Sequence, residues 1–137
     1  MNMFLVKAFL MGFLPFYRVS LPLDLMPDKM EYIEYKQGHE LGKAFVQKGQ
    51  NAYTHLYALL KKEKQGWRYD MTTYAPEYLY SSPKFRINCF DGALTVNYQD
   101  KENDWVQISK KIDGMSCPIV QISNSPAVGT MPKPPEK

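Results

Sequence analysis

Between Lys84 and Tyr98 apolar and polar residues alternate on both sides of an Asp91-Gly92 pair. An Asp-Gly pair in that setting predicts a two-residue hairpin turn, because such turns need positive φ at both central positions. With Phe90 set opposite Ala93, the outward pairs are Cys89/Leu94, Asn88/Thr95, Ile87/Val96, Arg86/Asn97 and Phe85/Tyr98, and every second pair is apolar. Phe85, Ile87 and Cys89 then share a dry face with Leu94, Val96 and Tyr98, and a slip of one residue would turn that set to water.

Other segments follow weaker patterns. Met30 to Lys36 predicts a short edge strand, turned at Gln37-Gly38. Leu41, Phe45, Ala52, Leu56, Leu59 and Leu60 recur at helical spacing. Gly49 interrupts that stripe at a cost of about 1 kcal/mol relative to Ala, so the pattern predicts two helices, near 39–48 and 51–64. Lysines 61, 62 and 64 suit the negative end of the second helix, and Gly66 suits the position just past it. After Gly66, aromatic and β-branched residues predict strands near 67–74 and 77–81, with Pro76 at an edge, bulge or bend. Trp105 to Ile112 predicts another strand, with Val106, Ile108 and Ile112 on its apolar face.

Helices followed by strands joined through short turns make an α+β fold: an antiparallel sheet, a meander of four to five strands, packed against one or two amphipathic helices. The domain spans 31–122. Residues 1–30 form an apolar arm and a linker carrying Pro22 and Pro27, and 123–137 form a Pro-rich tail whose composition cannot bury enough to fold alone. Residues 1–17 are apolar except for Asn2 and Lys7, and three readings stay open. A secretory signal would lack small residues at its cleavage site, and a spanning helix would be short and broken by Gly12 and Pro15. An arm packed on the fold or on a partner is the third. The arm reading leans towards the cytoplasm, whereas a signal or anchor would place the protein in the periplasm or at a membrane through residues 1–17.

A chain of 137 residues is long enough for one core without staples. Net charge of +3 is too small to imply a phosphate-binding surface, so nucleic acid is disfavoured. Ten Tyr, seven Phe and two Trp are the unusual feature; strand packing accounts for such enrichment, and a protein interface is the alternative. Cys89 and Cys117 are too few for a structural zinc site; they are either a disulfide in an oxidising compartment or two buried thiols.

Catalytic patterns fail on inspection. His39-Glu40 begins a zinc-protease motif, but Lys43 stands where its second histidine belongs. His55 lacks a third orienting residue for a pair with either cysteine. The carboxylate pairs Glu31/Glu34, Asp70/Glu77 and Asp100/Asp104 do not sit on complementary strand positions. No phosphate-binding glycine loop occurs, and no cofactor or metal is implied.

The string Phe-Arg-Ile-Asn-Cys-Phe-Asp-Gly-Ala-Leu-Thr-Val-Asn-Tyr (85–98) resembles the opening hairpin of bacterial C-type lysozyme inhibitors, and covers about a tenth of the chain. The helical stretch before it departs from that all-β family, and the family's inhibitory loop has no counterpart here, so no residue roles carry over.

The function this composition suits is non-enzymatic protein binding, as in a small bacterial immunity or inhibitor protein that neutralises a toxin or enzyme. Trp67, Tyr69, Tyr74, Tyr78 and Tyr80 are the candidate contact residues, since Pro76 and Pro83 keep their segment at an edge or in loops. A structural subunit of a larger assembly is the alternative. A sheet for single-stranded nucleic acid is the third reading, resting on the interleaved Trp67-Arg68-Tyr69 and Lys84-Phe85-Arg86.

Overall fold

The computed structural model describes residues 18–122. The arm at 1–17 and the tail at 123–137 lie outside the described residues. One seven-stranded antiparallel sheet is built from β1 (Lys29–Lys36), β2 (His39–Gln47), β3 (Arg68–Tyr69), β4 (Tyr78–Ser81), β5 (Phe85–Phe90), β6 (Ala93–Gln99) and β7 (Trp105–Lys111), in the order β2-β1-β4-β5-β6-β7-β3. Among the described residues one α-helix, α1 (Asn51–Lys62), joins β2 to β3. The α+β class stands, with more strands than the four to five read from the sequence. Only β4 to β7 form a meander, because β3 crosses to the far edge and pairs with β7.

The β5–β6 hairpin has the register that alternation predicts, from Phe90 opposite Ala93 out to Phe85 opposite Tyr98. Its apolar set is buried: Phe85, Ile87, Cys89, Leu94 and Val96. Upstream, residues 39–48 differ from the helix expected there. Gln37 and Gly38 both have positive φ, a turn that sends the chain straight back against β1. Gly42, Ala44 and Val46 then point inwards while Lys43 and Phe45 point out. Leu41 and Phe45, four residues apart, imitate a helical stripe, yet both are exposed in the strand. A bulge opposite Glu34 and Tyr35 absorbs the extra residue. Because β2 takes the edge, β1 lies inside the sheet, paired to β2 on one side and β4 on the other.

Helix α1 covers the dry face through Tyr53, Leu56 and Leu60, a spacing that repeats on one side of a helix. Gly66 follows the helix with φ of +86°. The chain then places Trp67 wholly in the core, its indole N–H donating to the Glu63 carbonyl at 2.6 Å and so satisfying a helix-end acceptor. Two further segments complete this cover. Residues 18–28 contribute Leu21, Leu23 and Met26, bridged to the sheet at Val19 and Trp67. Residues 113–122 are fixed by a disulfide between Cys117 and Cys89, with Cα atoms 5.8 Å apart.

Candidate functional site

The opposite face of the sheet is covered over only part of its area. Residues 70–77, read in sequence as the end of one strand, a bend at Pro76 and the start of the next, instead cross it as a strap. Asp70 anchors the strap: its carboxylate accepts from the Ser109 hydroxyl at 2.7 Å, from the Tyr74 hydroxyl at 2.5 Å and from the Thr72 amide at 2.9 Å. Gln107 donates to the carbonyls of Asp70 and Thr72. Further along, the Tyr74 ring meets Phe90 at 5.5 Å between centroids, and the Glu77 amide donates to Asn88. Partial burial pushes the Asp70 carboxyl up, but the bonds from Tyr74, Thr72 and Ser109 together outweigh it and hold it below the usual carboxylate range. The strap explains why Asn88, Thr95 and Ser109 are buried although they alternate away from the apolar core.

Beyond the strap the face is open. Strand register aligns Phe45, Glu31, Ser81, Arg86 and Asn97 in one row across β2, β1, β4, β5 and β6. Phe45 is 62% exposed, and Trp105, at the start of β7, is 43% exposed. Each carries a cation over its ring: the Lys29 ammonium lies 4.5 Å from the Phe45 centroid and the Arg86 guanidinium 4.9 Å from that of Trp105. Between Phe45 and Arg86 lies a trough of about 420 Å³, with Glu31 and the small Ser81 and Ser82 along it and Pro83 at its rim. Five strand spacings separate β2 from β7, so the two aromatic residues stand roughly 24 Å apart.

Set against the sequence-derived candidates, the aromatic residues divide. Trp67 and Tyr80 are fully buried and unavailable to a partner. Tyr80 points into the dry face, where its ring meets Tyr32 at 5.1 Å and its hydroxyl donates to the Pro118 carbonyl. Burial pushes both phenols, Tyr32 and Tyr80, far above the ordinary tyrosine value. Tyr69 and Tyr78 are half-buried, while Tyr74, itself within the strap, is exposed and donates its hydroxyl to Asp70. Phe45 and Trp105 were missed for different reasons. Phe45 was absorbed into a helical stripe that is a strand, whereas Trp105 was placed on the outer face by alternation and lacked any sign that this face is open.

The titratable groups considered for catalysis are dispersed. His39 and His55 are exposed, and the sulfurs of Cys89 and Cys117 are joined in the disulfide. Lys43 lies 3.9 Å from both Glu31 and Glu40. Asp100, Glu102 and Asp104 cluster in the β6–β7 turn, where the Asp100 carboxylate accepts the amides of Glu102 and Asp104 and shapes the turn. No helix among the described residues is long and apolar enough to cross a membrane.

Comparison of the chain with protein-family models, with curated proteins and with solved structures finds no match in any of the three.

Proposed function

We propose that this is a non-enzymatic protein-binding protein of the inhibitor or immunity kind, and that it meets its partner through the open face of the sheet. The observation that carries the reading is the pair of exposed rings, Phe45 and Trp105, each paired with a cation on a strap-bordered face. Aromatic residues and arginine, here Trp105 with Arg86, are the groups that concentrate interface energy, and Ser81 and Ser82 leave room beside Phe45 for a partner's side chain. The disulfide supports a working place outside the reducing cytoplasm, in which case residues 1–17 act as an export signal or anchor.

The test is a photo-activated cross-linking residue placed at position 45 or 105 in cells, with position 57 on the exposed side of α1 as comparison. The reading expects one protein captured from both 45 and 105 and not from 57. Protein adducts at equal yield from all positions, or none from 45 and 105, would overturn it.

A second reading is favoured by the same cation and ring pairs, since single-stranded nucleic acid also stacks on aromatic residues flanked by basic ones. Glu31, in the row between Phe45 and Arg86, weighs against it. Nucleic-acid adducts in the same experiment would select this reading instead.

A further inference from the structure

Lys29 and Arg86 line the trough beside Phe45 from β1 and β5, and both are exposed. Neither forms an ion pair with any described residue, whereas Lys43 is paired with Glu31 and Glu40, and Lys110 with Glu63. Glu31 is the only acid among the trough's lining residues, and its carboxylate is turned to Lys43, which is not one of them. The two trough cations lie over Phe45 and Trp105 instead. A ring positions a cation without cancelling its charge, so both charges are held in place and remain available. Register sets their separation. Arg86 stands two strands from Glu31 in the same row, and Lys29 lies two residues before Glu31, so the two backbone positions are roughly 12 Å apart.

We propose that the open face receives an acidic segment of a partner protein, an extended stretch whose carboxylates meet Arg86 and Lys29 with uncharged residues between them. This rests on the open-face reading and adds the chemistry of the partner. The arginine fork donates two parallel bonds to a carboxylate, and lysine adds a point charge at the other end of the trough. Holding the cations over rings lowers the freedom lost when a carboxylate docks. Spacing of the charges separates this occupant from nucleic acid. A single strand carries a phosphate on every nucleotide and would set one against Glu31, whereas a peptide can place an uncharged side chain there.

The experiment is an amide NMR titration of the full chain with two synthetic peptides, acetyl-Glu-Ser-Leu-Ser-Glu-amide and acetyl-Gln-Ser-Leu-Ser-Gln-amide, and with an oligothymidylate. In an extended chain the first and fifth side chains point the same way about 13 Å apart, which matches the two cations. The proposal expects the Glu peptide to bind about tenfold more tightly than the Gln peptide, with shifts centred on residues 29–31 and 81–86. That preference should vanish in Lys29→Gln combined with Arg86→Gln and persist in Lys36→Gln combined with Lys101→Gln, which removes equal charge elsewhere. Equal affinity for the two peptides, no binding of the Glu peptide, or equal losses in both double variants overturns the acidic segment. None of those results touches the open-face reading, which stands or falls on capture at positions 45 and 105. Tighter binding of the oligothymidylate than of the Glu peptide, lost in the Lys29 and Arg86 variant, overturns the proposal in favour of nucleic acid.

Discussion

The Tyr80 hydroxyl donates to the Pro118 carbonyl at 2.7 Å, joining the middle of the sheet to the segment that follows Cys117. The backbone of Val120 hydrogen-bonds Tyr32, the ring that packs on Tyr80. Residues 113–122 are therefore fastened over β1, β4 and β5 by one covalent bond and by phenolic bonds on two adjacent strands.

Tyr80→Phe removes the donor and leaves the Pro118 carbonyl without it, so it should cost about 1 kcal/mol of stability. Tyr80→Ala opens the core and should cost about 3–5 kcal/mol. Urea unfolding measures both, and a wild-type midpoint for Tyr80→Ala would remove this ring from the core.

Reduction of the disulfide should lower stability by about 3 kcal/mol, from the loop entropy released between residues 28 positions apart. The readout is the thermal midpoint with and without reductant, alongside a count of reactive thiols in native protein. Two reactive thiols before reduction, or an unchanged midpoint, would contradict the cross-link.

Val96→Asp should unfold the domain, since it sets a carboxylate beside Ile87 and Ile108 on the dry face. Thr95→Asp, which simple alternation would make harmless, should also be costly. Thr95 is buried opposite Ser109, whose hydroxyl binds Asp70, so the new carboxylate meets one already there. A melting temperature for Thr95→Asp equal to wild type would show that the strap does not close over this position.

Alkaline pH should unfold the protein cooperatively. Tyr32 and Tyr80 have folded-state values raised above the unfolded value, chiefly by burial, so their contribution is intact below about pH 10 and is lost as pH rises above it. Absorbance at the phenolate band, followed with circular dichroism, should show these two tyrosines ionising together with unfolding. Early, non-cooperative ionisation of every tyrosine would contradict their burial.

The hairpin was legible because its turn chemistry and its alternation specify the same register, with Asp91-Gly92 at the turn and Ile87 opposite Val96. Helix α1 was legible from Leu56 and Leu60, but it ends at Lys62 with Glu63 as its cap, so Gly66 lies four residues past the end rather than directly after it. Residues 39–47 misled because Leu41 and Phe45 satisfy a helical period, which outweighed the nearby turn at Gln37 and Gly38 that pairs β2 with β1. The strap was illegible for a different, non-local reason. Nothing local in Asp70 to Glu77 shows that Ser109, Gln107, Asn88 and Phe90, distant in sequence, supply its partners. The open face could not be read without knowing where the strap stops, so sequence reasoning gave the contact role to Trp67, Tyr69, Tyr74, Tyr78 and Tyr80, of which Trp67 and Tyr80 lie in the core.

The most direct test of the open-face reading is the affinity of the partner captured at positions 45 and 105 for the purified double variant Phe45→Ala, Trp105→Ala, measured by calorimetry beside wild type. Neither side chain belongs to the buried core, so the melting temperature should stay close to wild type while binding weakens by about a hundredfold or more. Undiminished affinity in a folded double variant would contradict the account.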